Sequence, residues 1–177
     1  MTADVSAVRA RPALLSDAAA IADIYNQGIE DRVATFETEP RMAEQVARWF
    51  DGRRPIVVAT DAEGDVVAFA SASAYRDRPC YAGIAEFSVY VRRDWRGRGA
   101  GRVALAALIE AAGTAGFWKL VSRVFPENVA SRGLLRRMSF REVGVYRRHG
   151  QLDGVWRDCV IVERLLDSDR PATTGGG

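Results

Sequence analysis

Glu86, Arg96, Arg98 and Arg102 fall within one short stretch, E-F-S-V-Y-V-R-R-D-W-R-G-R-G-A-G-R, with Gly97, Gly99 and Gly101 set between the arginines. These residue types offer two kinds of chemistry. Glycines let the backbone turn sharply and let a ligand approach main-chain N–H groups, and the arginines add positive charge. Where such a turn opens a helix, the free N–H groups and the helix dipole act together on an anion. The P-loop pattern is excluded because no Lys-Ser or Lys-Thr follows the glycines. The G-x-G-x-G spacing also differs from the G-x-G-x-x-G dinucleotide fingerprint. What remains is R-x-x-G-x-G, Arg96 to Gly101, either an anion-binding turn or a basic surface turn. Glu86 is the second candidate. It stands in an otherwise apolar run, where a carboxylate is costly unless it is used or paired. Such a group can accept a proton directly or through water; the alternative is an edge glutamate paired with a nearby arginine.

The elements around these residues follow from the hydrophobic pattern. Glu86 to Val91 has strand character, and period-two alternation puts Glu86, Ser88 and Tyr90 on one face and Phe87, Val89 and Val91 on the other unless a bulge intervenes. From Arg102 onward Leu105, Leu108, Ile109 and Ala112 keep helical spacing. Upstream, Val8 to Leu14 predicts a strand ending near Pro12. Ser16-Asp17 supplies cap chemistry for a helix with Ile21, Ile24, Tyr25 and Gly28 on one stripe. T-F-E-T-E-P, Thr35 to Pro40, breaks it, and a second helix is predicted over Met42 to Phe50. Ile56 to Ala59 and Val66 to Ala74 are strands joined by a turn at Asp61 to Asp65. A polar connection runs from Tyr75 to Gly83. Downstream, Gly113 and Gly116 end the third helix, and Lys119 to Val124 is a strand. Pro126-Glu127-Asn128 opens a fourth helix carrying Leu134, Leu135 and Met138. Phe140 to Tyr146 and Val155 to Leu165 close the chain as two strands joined by an H-G-Q-L-D-G loop.

At 177 residues the chain predicts one domain, over 8–166, with flexible tails at 1–7 and 167–177. Hydrophobic residues make up 48% and charged residues 27%, an ordinary balance for a globular protein. The net charge of +2 gives no global polyanion signature, and the basic cluster lacks interleaved stacking aromatics, so no nucleic-acid partner is expected. Cys80 and Cys159 form no ligand pattern with His149, the single histidine, so no metal is expected and the thiols are read as reduced. No apolar run is long enough to span a bilayer and no signal core opens the chain, which predicts a cytoplasmic protein without a membrane partner.

The order β-α-α-β-β-β-α-β-α-β-β, with R-x-x-G-x-G between the fourth strand and third helix, resembles the GCN5-related N-acetyltransferases over about residues 8–166. The resemblance implies an α/β (α+β) fold: a mixed, mostly antiparallel sheet of six to seven strands flanked by about four helices, with the fourth and fifth strands splayed. It implies acetyl-CoA as co-substrate. Main-chain groups of Val89 and Val91, with Tyr90 between them, would pair with the pantetheine amides. Backbone N–H groups across Arg96, Gly97, Arg98, Gly99, Ala100, Gly101 and Arg102 would hold the pyrophosphate. Asn128 would hydrogen-bond the arm, with a helix cap as its alternative role, and Ser131 stands beside it. Glu86 would deprotonate the acceptor ammonium. The tyrosine that serves the family as acid on the fourth helix is replaced by Leu135, leaving Ser131 or Tyr90 as donors. A thiol titrates near ~8.5, so its thiolate departs tolerably without an acid.

T-F-E-T-E-P, A-E-F-S-V-Y-V and H-G-x-L-D-G-V-W-R-D resemble the phosphinothricin acetyltransferase branch, and the last resembles the arsinothricin-resistance enzymes. The implied acceptor is a glutamate-like amino acid antibiotic, attacking the donor directly in a ternary complex. Tyr75, Arg76 and Arg78 would clamp its oxyanions, Phe36 would wall the pocket, and His149 would lie in the closing loop. For the arginines the alternative is a solvated loop, and for His149 a surface histidine. Methionine sulfoximine or methionine sulfone as acceptor, a protein N-terminus, or a non-catalytic acyl-CoA-binding role are the competing readings. Trp156 and the following V-I-V would serve a homodimer face.

Overall fold

Ile56–Thr60 and Val66–Ala74 consist of small and branched apolar residues, and both faces of the sheet they form are covered, which makes them central strands. The computed structural model describes residues 8–166, and the tails expected at 1–7 and 167–177 lie outside the described residues. Seven strands, β1 (Arg9–Pro12), β2 (Ile56–Thr60), β3 (Val66–Ala74), β4 (Ile84–Val91), β5 (Lys119–Val124), β6 (Arg141–Leu152) and β7 (Val155–Leu165), form one sheet in the order β1-β2-β3-β4-β5-β7-β6. Only β4 and β5 run parallel; the other neighbours are antiparallel. The helices are α1 (Ala18–Glu30), α2 (Ala43–Ala47), α3 (Ala100–Thr114) and α4 (Val129–Arg137). This is the expected fold and the expected element order.

The sheet separates two cores. Ala100, Ala104, Leu105, Leu108 and Ala112 lie on one face of α3 and pack against Val57, Ala68, Ala70, Phe87, Leu120 and Val162. Small residues on that stripe let the helix lie close to the strands. The opposite core joins Ile21 and Ile24 of α1 and Val46 of α2 to Ile56, Val58 and Phe69, with Tyr25, Trp49 and Tyr90 at its edge. The α1–α2 connection is pinned by Asn26. Its side-chain amide donates to the Arg41 carbonyl (3.0 Å), and its carbonyl accepts the Arg41 N–H (2.7 Å).

Several boundaries differ from the sequence reading. α2 is a single short element, ending at Ala47, with Trp49 and Phe50 in a following turn. α3 runs through Gly113 and stops before Gly116, which has φ +90°. The closing loop is only Asp153-Gly154, both with positive φ, between the paired Leu152 and Val155. Gly150 and Gln151 therefore belong to β6, and His149 lies at an irregularity within that strand rather than in a loop. A two-residue D-G hairpin accounts for this, because both positions need the left-handed backbone.

Asp17 also departs from the expectation. It does not cap α1 with its side chain. A short turn, Leu15–Asp17, precedes the helix, and the carboxylate reaches back to the Leu14 N–H (2.7 Å) and to Arg11 (2.7 and 2.9 Å). The Arg11 hydrogen bonds hold the Asp17 carboxyl below the usual range, outweighing the opposing effect of burial. A depressed folded pKa gives stability that is full above the unfolded value near ~3.9 and is lost as pH falls through the folded one. Asp17→Asn is expected to cost about 1–2 kcal/mol at pH 7. In urea titrations the gap from wild type should shrink as pH falls below the unfolded value; a gap that stays undiminished through the acid range would contradict this role.

Candidate active site: a forked sheet beside a glycine turn

β4 pairs with β3 from Ala85↔Ala74 to Val91↔Ala68 without a register shift, so the face assignment of its residues holds. Against β5 it pairs only through Ile84, Ala85 and Glu86. Beyond that point β5 follows β7, from Lys119↔Leu165 to Val124↔Val160, while β4 stays with β3, and the sheet forks. Ser122 closes the fork, its hydroxyl donating to the Phe87 carbonyl (2.9 Å). That bond shows Phe87 main-chain groups facing β5, so by alternation those of Val89 and Val91 face the open side. The Val91 carbonyl accepts from Arg96 Nε (3.2 Å), which leaves the main chain of Val89 and the N–H of Val91 directed into the gap.

The gap is a cavity of about 530 Å³ bordered by Val89, Tyr90 and Val91, by the glycine turn, and by Asn128, Ser131, Leu134 and Arg137 of the α4 segment. Gly97 (φ +75°) and Gly99 (φ +85°) take the left-handed conformation that glycine adopts without strain. Gly99 is the N-cap of α3 and gives no side-chain cap. Arg102 and Val103 N–H groups turn back to the Gly99 carbonyl (3.0 and 3.2 Å), whereas those of Ala100 and Gly101 have no such acceptor among the described residues. A Cβ on Gly101 would stand 3.0 Å from Val91 Cγ2 and 3.5 Å from Leu134 Cδ2, so only a bare backbone leaves the cradle open. An extended arm with amide groups and a diphosphate fits this arrangement: free strand groups would meet the amides, and helix-terminal N–H groups would meet the diphosphate.

The arginines of the turn divide their tasks. Arg96 pairs with Asp31 (2.5 Å), as does Arg93 (2.8 Å), which ties the turn to the end of α1. Burial opposes ionisation of Asp31, but Arg93 and Arg96 together keep its carboxyl below the usual range. The Arg98 guanidinium lies over the Trp95 ring, 5.5 Å from its centroid. Arg102 of the turn and Arg137 of α4 are exposed at the cavity border with no ion-pair partner among the described residues. Asn128 holds both roles considered for it: it caps α4 by accepting the Ser131 N–H (3.1 Å), and it lines the cavity. On α4, Leu135 is buried in the α3-side core, and Leu134 is the leucine that faces the cavity.

Glu86 sits at the apex of the fork, opposite Ser73 on one side and Val121 on the other. It is neither fully buried nor alone. Arg123 Nη2 binds its Oε1 at 2.5 Å, and its side chain is 27% exposed. The arginine pair weighed as the alternative to a basic role is therefore present, and Oε2 has no protein partner among the described residues. Tyr90 is packed between Tyr25 (centroids 4.9 Å apart) and Phe69 (5.5 Å), hard against Gly28, and burial pushes its phenol well above the usual range. A phenol so held is a poor proton donor at neutral pH.

The residues assigned to the acceptor fall in two groups. Tyr75 carries the Arg76 guanidinium over its ring (5.4 Å), and Arg76 lies near Tyr81 and Tyr146 as well. Tyr146 in turn is 4.8 Å from the His149 ring, so Tyr75, Arg76 and His149 share one surface patch; Arg78 lies over Tyr81 (5.7 Å). Phe36 lies edge-on to Phe125 (4.9 Å) and against Gly150, the residue after His149, where a Cβ would come within 2.8 Å of its ring. None of these lines the fork cavity. The sequence reading missed Ser122 and Arg123, although polar residues within a strand otherwise rich in Leu and Val were the available signal. Among the described residues no group of three or more His, Cys, Asp or Glu is placed to hold a metal, and no helix is long and apolar enough to cross a membrane.

A sheet forked beside a glycine turn, with a carboxylate at the apex, suits an enzyme that would hold a phosphate-bearing carrier along the open strand and transfer what it carries. The profile of the Acetyltransferase (GNAT) family matches residues 21–140, and the chain belongs to that family. It is 37% identical over 166 residues to an L-methionine sulfoximine/L-methionine sulfone acetyltransferase of Pseudomonas paraeruginosa, covering 92% of this chain and 96% of that one. A phosphinothricin N-acetyltransferase of Streptomyces coelicolor is 34% identical over 90% of this chain and 96% of its own. Among solved structures, a phosphinothricin acetyltransferase from Sinorhizobium meliloti in complex with acetyl-CoA superposes with a TM-score of 0.85 at 29% identity, covering 99% of this chain and 95% of that one. The chain is an acetyl-CoA-dependent N-acetyltransferase.

Proposed function

We propose that this enzyme acetylates the α-amino group of a small glutamate-like amino acid antibiotic, phosphinothricin or arsinothricin, by direct attack in a ternary complex, and so confers resistance. The observation that carries the reading is the carboxylate at the apex of the fork, beside free strand groups and a glycine cradle. The pantetheine arm lies along Val89 and Val91, and the diphosphate lies on the N–H groups at the start of α3. Arg123 orients the Glu86 carboxylate through one oxygen, leaving the other for the acceptor ammonium. The proton goes from nitrogen to Glu86 and on to solvent. The amine lone pair then forms the N–C bond, the thioester C–S bond breaks with its electrons on sulfur, and one of the two protons left on nitrogen passes to the thiolate, giving free thiol and an amide that keeps one N–H. Charge developing on the carbonyl oxygen is met by an open N–H of β4. With leucine at position 135, the thiolate leaves with help from Ser131 or water.

A second reading, a methionine sulfoximine or sulfone acceptor, is favoured by the 37% identical relative that bears those names. In both readings Arg76 and Arg78 are cations for the acceptor's acidic groups, Phe36 and His149 complete the acceptor's surroundings, and the protein works in the cytoplasm. Of the expected dimer face, Val160 and Val162 are buried in the core and Trp156 is exposed; with the exposed Val143, Val145 and Val155 of β6 and β7 it forms an apolar surface suited to a homodimer, which a solution mass measurement tests directly. Thiol release from acetyl-CoA, with product identified by mass, should be compared across arsinothricin, phosphinothricin, methionine sulfoximine, glutamate and a peptide amine. Release with the first three and not with the peptide is expected. Arg76→Ala and Arg78→Ala should each raise the acceptor KM about tenfold and leave the acetyl-CoA KM alone. Unchanged kinetics would remove both arginines from the acceptor site.

A further inference from the structure

The β3–β4 face that carries Glu86 floors a second cavity, of about 340 Å³, on the α1–α2 side of the sheet. Its floor follows the strand register: Phe69 beside Tyr90, Ser71 beside Ser88, then Ser73. Paired residues share a face, so Glu86, the partner of Ser73 on β4, lies on the same face just past the lining residues. Trp49, Arg48 and Arg54 close the other side. Arg54 is matched by Asp51. Arg48 is exposed and has no ion-pair partner among the described residues, so the cavity carries one uncompensated cation. Tyr90 borders both this cavity and the fork cavity, so the two spaces meet at one side chain.

We infer that this second cavity is the subsite for the distal oxyanion of the acceptor, with Arg48 as the cation that reads it and Ser71, Ser73 and Ser88 as hydroxyl partners. The inference rests on the amino acid acceptor proposed above and makes it more specific. Ser88 stands two residues from Glu86, about 7 Å along the strand, close to the reach of a glutamate-like molecule from its amine to its distal acid. An acceptor lying along the serines thus presents its amine to Glu86 while its far end meets the guanidinium. A planar guanidinium binds an anionic phosphinate or carboxylate more strongly than a neutral sulfone, so Arg48 sets a preference by charge rather than by length.

The test is the steady-state kinetics of wild type, Arg48→Ala and Arg48→Lys with phosphinothricin and with methionine sulfone, acceptors of similar length with an anionic and a neutral end. Arg48→Ala is expected to raise the phosphinothricin KM about tenfold or more and the methionine sulfone KM less than about threefold. The acetyl-CoA KM and kcat should stay within about twofold, and Arg48→Lys should recover part of the loss. Equal losses for the two acceptors, or no loss with either while wild type turns them over, would overturn the subsite and leave the acceptor class standing. If wild type acetylates no amino acid, the acceptor reading and the subsite fall together.

Discussion

Glu86→Gln should lower kcat by about 10²–10⁴ while acetyl-CoA binds with wild-type affinity. The substitution keeps the shape of the side chain and its contact with Arg123, but an amide cannot take the ammonium proton. An amino acid amine is protonated at neutral pH, and its lone pair is available for attack only after that proton has left. The proposed donor contacts line the fork cavity, on Val89, Val91 and the start of α3, so donor affinity should not change. Thiol-release kinetics alongside calorimetric binding of acetyl-CoA separate the two quantities. Wild-type turnover in the variant would show that Glu86 is a structural partner of Arg123 and that the ammonium loses its proton elsewhere. A loss of donor binding equal to the loss of rate would point to a collapsed fork instead.

Gly101→Val should cut acetyl-CoA affinity by about 100-fold or more. The first atom added would sit 3.0 Å from Val91 Cγ2, tighter than ordinary contact, and the further methyl groups would enter the space between β4 and α4. Both the strand groups and the helix-terminal N–H groups lose their approach to the carrier. Crowding also carries a stability cost of about 1–3 kcal/mol, so thermal unfolding must accompany the binding measurement. A folded variant that binds acetyl-CoA as wild type does would place the carrier somewhere other than along the fork.

Much of this architecture was legible because it rests on local rules. Period-two alternation over Glu86 to Val91 is undisturbed by any bulge, and the glycines at 97 and 99 adopt the backbone their composition called for. What the sequence withheld depends on neighbours distant in the chain. Asp17 looked like a forward cap, but Arg11 on β1 draws its carboxylate backward. The glycine of H-G-Q-L-D-G looked like a loop residue, yet Gly150 stays in β6, where Phe36 packs against it with no room for a Cβ. Likewise Glu86 in an apolar run could signal either a used or a paired carboxylate, and only the register of β4 against β5 brings Arg123 into reach. The cavity over Ser71 and Ser88 had no linear signature, because its cation, aromatics and hydroxyls come from α1, the turn after α2, β3 and β4.

The proposed catalysis turns on one event: an amine and a thioester meeting at the fork, with no covalent enzyme intermediate. Initial rates of thiol release over a matrix of acetyl-CoA and phosphinothricin concentrations test this most directly. The expected result is acceptor-dependent release, N-acetylated product in equal amount, and double-reciprocal lines that intersect. Parallel lines, or thiol release that does not depend on the amino acid, would contradict it.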